Sequence, residues 1–169
     1  DLEATFAPDY GVKINRFDFG ADTANAFRCD VPNMSTWLYF AFNDTYYSSR
    51  TASIGMPEGV LVGSVRQFAA THSELISRYY GTLAPLSNPT VALNTLLTQD
   101  ALLIYIPKNV TLEKPLQLVN ILNATIPVMA CRRVLIVLEE NAHAKMLVCD
   151  HTQNQELDFL NTQIVEIFA

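Results

Sequence analysis

Residues 101–122 read ALLIYIPKNVTLEKPLQLVNIL, and how this stretch turns back on itself decides the fold. Leu102–Ile106 and Pro115–Ile121 are dense in Leu, Ile and Val, the composition of strands covered on both faces. Between them, Pro107, Lys108 and Asn109 make a turn without glycine. Three further segments of the same kind follow: Val134–Leu138, Ala144–Cys149 and Phe159–Phe168. Two-residue hairpins want Asn-Gly or Asp-Gly, yet no glycine occurs after Asp100, so a meander of tight reversals is disfavoured. Turns such as Pro107-Lys108-Asn109 or Glu139-Glu140-Asn141 suit a solenoid in which each strand stacks on the one a coil earlier. On the residues alone, a β-helix and a two-sheet sandwich remain equally open.

Upstream the period changes. Tyr10 to Asn15 alternates and predicts a short strand. Trp37 to Phe42 is apolar on both alternate faces and predicts a strand covered on each side. Asn43, Asp44 and the polar residues through Ser53 read as a loop, followed by a short strand at Val60–Val62. Ser64 with Gln67 three residues later has the capping-box pattern and predicts a helix start. Val65, Phe68, Ala69, His72, Leu75, Ile76 and Tyr79 then share one stripe, and Gly81 ends it as a left-handed cap. Asn88 and Pro89 announce a second helix, as cap and first helical residue, ending near Gln99.

The chain has 169 residues, half of them apolar and 17% charged. That is enough for one core and too apolar for wholesale disorder. A net charge of −6, with no basic run longer than Arg132-Arg133, argues against a nucleic-acid or anionic-membrane partner. The longest apolar stretch, Ala101 to Pro107, is far too short to cross a bilayer. The opening Asp1, Leu2 and Glu3 lacks the basic and apolar start of a secretory signal, and with no initial Met a trimmed or excised piece is one reading. Cys29, Cys131 and Cys149 match neither a disulfide framework nor a zinc pair, so reduced thiols in a cytoplasmic protein are expected.

No constellation of residues indicates catalysis or a metal. Gly55, Gly59, Gly63 and Ser64 sit where backbone amides at a helix start could cradle an anion, but the phosphate-loop Lys and GxGxxG are missing. Cys149, Asp150 and His151 invoke thiolate chemistry, yet neighbours on a strand point to opposite faces. Cys131 beside Arg132 and Arg133 has the setting of a depressed thiolate, with the arginines read as a solvated rim. His72, His143 and His151 have no ligands at metal spacing. Glu113-Lys114 and Glu139-Glu140 read as turn charges. Glu166 interrupts an apolar run and is expected to face solvent, or else to serve an interface. Asp150, Asp158 and Glu166 are the acids of the last two strands, and nothing forces two of them to meet as glycosidase chemistry needs. Four Asn-x-Ser/Thr sequons, at Asn33, Asn43, Asn109 and Asn123, read as turn chemistry, because Asn tolerates positive φ.

Val91-Ala92-Leu93-Asn94-Thr95, then Asp100, then Ile104 to Val110 resemble the signature of the SufB/SufD scaffold family of iron–sulfur cluster assembly. Leu112 to Gln117, Arg133 to Val137 and Glu140-Asn141-Ala142 continue the resemblance. Leu-Glu-Lys-Pro at 112–115, Asn161 to Glu166, Tyr10 to Arg16 and Cys29 to Tyr39 lean to its SufD side. Ala101 departs from the Gly usual after Asp. The resemblance implies the first coils of a right-handed parallel β-helix over 101–169, cut short, preceded by an α+β region over 1–100 with two helices near 65–80 and 89–99. It implies the N-terminal part of a non-catalytic subunit working with SufB-like and SufC-like partners. ATP would then enter only through the partner ATPase, and cluster or flavin only in the assembled complex. The family's cluster-related Cys and His lie beyond this stretch, so no role carries over to Cys29, Cys131 or Cys149. A coil ending on the apolar strand Ile164 to Phe168 is expected to self-associate or to be locally disordered. The rivals are a β-helical polysaccharide-processing enzyme and a generic binding solenoid.

Overall fold

A computed structural model describes residues 11–12, 35–47, 53–152 and 156–169. The chain order is β1 (Gly11–Val12), β2 (Trp37–Phe42), β3 (Thr45–Tyr47), β4 (Leu61–Ser64), α1 (Val65–Ala69), α2 (Ser73–Tyr79), α3 (Pro89–Leu97), β5 (Leu102–Ile106), β6 (Leu116–Leu122), β7 (Val128–Leu138), β8 (Met146–Thr152) and β9 (Phe159–Phe168). The strands form two sheets. One follows the order β1-β7-β5-β4, with β9 on the other edge of β7; the second follows β3-β2-β6-β8.

From β5 onward, successive strands alternate between the sheets, and those sharing a sheet run parallel: β5 with β7, β7 with β9, and β6 with β8. The N-terminal strands enter the same two sheets. Trp37–Phe42 pairs in parallel with Leu116–Ile121, while β3 joins β2 and β4 joins β5 antiparallel. Both sheets are therefore mixed. This overturns the right-handed parallel β-helix behind two helices: the architecture is α/β, two mixed sheets with a few short helices inserted between β4 and β5. The physical reason is the antiparallel pairing of β2–β3 and β4–β5, which builds upstream residues into both sheets instead of leaving them as a separate preface.

Turn chemistry explains how the chain reverses without glycine. Asn109 and Asn141 adopt φ of 62° and 57°, the left-handed region that Asn tolerates best after Gly. The two turns stack, with Asn109 N–H donating to the Glu140 carbonyl at 2.9 Å and the Asn141 amide donating to Asn109 Oδ1 at 3.1 Å. Lys108 and Glu140 meet at 2.5 Å between exposed side chains, an ion pair worth little to stability. Asn43, at φ 52°, turns the β2–β3 hairpin that the polar loop reading missed.

Three apolar layers result. Trp37, Tyr39, Leu102, Ile104, Leu116, Leu118 and Val134 fill the space between the sheets. Leu103, Leu135 and Val137 on the opposite face of the first sheet lie under Val65, Phe68, Ile76 and Tyr79 of the helices. Phe40, Phe42, Val119 and Ile121 cluster on the other face of the second sheet. The predicted Ser64 cap is present, its hydroxyl accepting from Gln67 N–H, as is the Asn88 cap with Pro89 at the first helical position. The single helix expected over 65–80 is broken at Ala70–His72, where both Thr71 and His72 N–H groups return to the Phe68 carbonyl and Ser73 opens a new turn. At the break the Thr71 hydroxyl and His72 Nδ1 lie 2.8 Å apart, and His72 makes no side-chain cap bond to the turn it precedes.

Asn94 ties these layers together. Fully buried on α3, it donates to the Arg132 carbonyl at 3.0 Å on β7 and to the Thr162 carbonyl at 2.8 Å on β9. Its Oδ1 takes the Thr98 hydroxyl at 3.1 Å. Replacing Asn94 by Leu leaves two strand carbonyls without this donor, and the expected loss is about 2 kcal/mol in urea unfolding. A variant as stable as the parent would show that these bonds carry no net stability.

Candidate functional site

Two adjacent arginines organise the polar interior. Arg132 and Arg133 stand in the middle of β7, so their side chains leave on opposite faces of the sheet. Each is 1% exposed, which overturns the reading of a solvated rim. A guanidinium removed from water must find partners, and each does so on its own side.

On the helix side, Arg133 reaches Glu166 of β9, with Nη2 to Oε2 at 3.1 Å and Nε to Oε2 at 3.2 Å. Its Nη1 donates to Thr95 Oγ1 at 2.7 Å, and the guanidinium lies 5.1 Å from the ring centre of Tyr80. Glu166, expected on the solvent side, is 2% exposed. Its carboxylate gathers the segment after α2: Gly81 N–H donates to Oε2 at 2.9 Å, while Leu83 and Ala84 N–H groups donate to Oε1 at 2.9 and 3.1 Å. Gly81 reaches this position at φ +74°, where a side chain would be strained. Burial pushes the Glu166 carboxyl upward, but the three backbone donors and Arg133 outweigh it and hold the group below the ordinary range.

On the inner side, Arg132 bridges the sheets. Its Nε donates to the Asn43 carbonyl, Nη2 to the Ile121 carbonyl at 3.3 Å, and Nη1 meets Asp150 Oδ1 at 3.5 Å. Burial lowers its pKa, opposed by the nearby Tyr46, Asp150 and Asp44 groups. The Asn43 side chain locks the same corner by exchanging two 3.0 Å hydrogen bonds with the backbone of Asn123. Asn43 is itself buried, so that sequon serves as structure.

The remaining candidates separate. The anion at the start of α1 is internal: Asp100 accepts from Ser64 Oγ at 2.5 Å, from Ala101 N–H at 2.8 Å and from Arg66 N–H at 3.2 Å. Beside it lies a cleft of about 460 Å³, lined among others by Tyr39, Tyr46, Tyr47, Arg66 and Gln67. Cys131 is a free, buried thiol, and burial pushes its pKa up, so the two arginines do not make it a thiolate. Cys149 is disulfide-bonded, which corrects the reading of three reduced thiols, while Cys29 lies outside the described residues, as does Asn33. Asp150 turns to Arg132 and Glu166 to Arg133 on the other face of β7, so these acids do not converge. Among the described residues no group of three or more His, Cys, Asp or Glu stands close enough to hold a metal ion. Within the same residues no helix is long and apolar enough to cross a membrane.

Sequence reasoning singled out Glu166 and the arginine pair but placed them in water. A signal of burial is present for the arginine pair, since β7 is otherwise apolar throughout, and Glu166 sits within the apolar run Ile164 to Phe168. Neutralising Glu166 as Gln breaks a buried pair and weakens three backbone bonds, at an expected cost of about 3–5 kcal/mol. Because the folded carboxyl titrates below its unfolded value, its stabilisation is complete above about pH 4.3 and fades as pH falls through the folded value. Urea unfolding of parent and Glu166→Gln across pH 2–6 should show their difference shrinking toward the acid end. A constant difference would contradict this.

Comparison with known proteins covers those residues of the resemblance that lie before 118. Residues 1–118 match the family described as the SufBD protein N-terminal region. An Arabidopsis thaliana relative, iron–sulfur cluster assembly SufBD family protein ABCI9, is 29% identical over 136 residues, covering 75% of this chain. The chain spans 28% of the length of that relative. The match over most of its length establishes that this chain belongs to the SufBD family and carries that family's N-terminal region.

Proposed function

We propose that this chain is the N-terminal part of a SufD-like scaffold subunit of iron–sulfur cluster assembly, acting through SufB-like and SufC-like partners and not by catalysis of its own. The family match over residues 1–118 carries this reading. The use of the interior charges supports it. Arg133, Glu166 and Asp100 are each engaged in bonds that fasten helices to strands, and Arg132 fastens one sheet to the other. Such bonds favour a rigid body that presents surfaces. ATP would act on the assembly through the SufC-like partner, and cluster or flavin would bind only in the assembled complex.

Co-expression of the full-length polypeptide with tagged SufC-like and untagged SufB-like subunits tests the proposal. All three are expected to co-purify in a fixed ratio, with the full-length polypeptide dispensable for ATP hydrolysis chemistry but required for assembly. Recovery of SufB-like and SufC-like proteins free of it would contradict the reading.

The last strand supports self-association of the 169-residue chain. Val165 and Ile167 share one face of β9 and are 45% and 54% exposed. Multi-angle light scattering should show dimers or larger species, and Val165→Lys with Ile167→Lys should return the chain to a monomer. A parent that stays monomeric at about 100 μM would count against it.

A further inference from the structure

On the far face of the second sheet, Val119 and Ile121 of β6 are each 0% exposed, beside Phe40 and Phe42 of β2 at 7% and 5%. The partly buried hydrophobic side chains packed on this cluster, Leu38 and Tyr47, belong to β2 and β3 of the same sheet. Neighbours within a sheet stand beside a side chain and not above it, so they cannot take it out of water completely. The described helices lie elsewhere: α1 and α2 pack over Leu103 and Leu135 of the first sheet, and α3 bonds to β7 and β9.

The covering extends to the edge strand β8. Its side chains on this face, Leu147, Cys149 and His151, are half-buried, while Val148, Asp150 and Thr152 between them are exposed. Cys149 stands in register with Val119, so its sulfur lies on the covered side. Gln117, also on this face and 5% exposed, accepts the Thr36 hydroxyl at 2.7 Å and lies 4.0 Å from Cys149 Sγ. The chain just ahead of β2 therefore reaches within one side chain of that sulfur.

Cysteine arithmetic names the occupant. The chain has three cysteines; Cys131 is free and Cys149 is disulfide-bonded, which leaves Cys29 as its partner within the chain. A disulfide holds its two Cα atoms within about 7 Å. The seven residues from Cys29 to Thr36 can span about 23 Å, and β8 stands two strand spacings, about 10 Å, from β2. Ala26, Phe27, Val31 and Pro32 flank Cys29 with apolar surface, the chemistry that this face accepts.

We propose that the far face of the second sheet is the docking surface for the chain's own segment around Cys29, fastened by a Cys29–Cys149 disulfide, and that a dithiol reductant undocks it. In that step the two thiols of the reductant become a disulfide. Their two electrons and two protons pass to Cys29 and Cys149, whose S–S bond breaks to give two thiols. Cutting the bond restores the chain freedom that ring closure removed, and Phe40, Phe42, Val119 and Ile121 become an open apolar surface.

The test uses the 169-residue chain equilibrated with oxidised glutathione. Peptide mapping without reductant should recover Cys29 linked to Cys149. Dithiothreitol should then raise the fluorescence of anilinonaphthalene sulfonate and speed tryptic cleavage after Arg28 at least about tenfold. Cys29→Ser and Cys149→Ser should each show the reduced behaviour without dithiothreitol, and Cys131→Ala should respond as the parent does. Far-ultraviolet circular dichroism should stay unchanged on reduction, which separates undocking from unfolding. Free thiols at Cys29 and Cys149 after oxidation, dye fluorescence and cleavage untouched by dithiothreitol, or loss of the dichroism signal on reduction would each overturn the proposal. None of these results bears on whether the full-length polypeptide joins SufB-like and SufC-like partners.

Discussion

Two guanidinium groups side by side in the middle of a buried strand impose a demand on everything around them. Arg132 and Arg133 cannot share a partner, because consecutive residues of β7 face opposite ways. Neither can stay buried without acceptors, since an unpaired ion in the interior costs several kcal/mol. The fold meets the demand twice. Glu166 comes up beside Arg133 from the parallel neighbour β9 and, with its spare acceptor capacity, orders the segment that follows α2. Arg132 reaches across to carbonyls of the β2–β3 turn and of β6, which joins the second sheet to the first. Helical layer and both sheets are thus held through one dipeptide.

This arrangement shows which parts of the molecule were legible in the sequence. Apolar density located β5 and β9 to the residue, and the caps at Ser64 and Asn88 marked their helix starts, because these are local signals with a local cause. The hairpin turn at Asn43 was less visible: its side chain works by bonding Asn123, eighty residues away, and distant partners leave no trace in a local pattern. The same holds for Glu166, whose donors belong to residues 81–84. A lone acid in an apolar strand reads as an outward-facing charge until its partner is known. The overall architecture went astray for a related reason. The glycine-free turns suggest a solenoid, but the antiparallel additions of β3 and β4, which make both sheets mixed, depend on which upstream segments find a free edge.

The candidate site follows the same logic. Motifs that promised an anion cradle or a reactive thiol were real features of the chain, and the structure gives them partners of its own: Asp100 occupies the start of α1, and burial keeps Cys131 protonated. The chain carries the N-terminal region of the SufBD family, and the interior charge pairs hold its helices and sheets together.

The most direct test of this account is a double-mutant cycle on Arg133 and Glu166, using Arg133→Met, Glu166→Leu and the pair, read by urea unfolding at neutral pH. The account predicts strong coupling: each single variant strands a buried charge and loses about 3–5 kcal/mol, while the double variant recovers much of that loss. Additive losses would mean that the two groups do not depend on each other, and the central constraint would be gone.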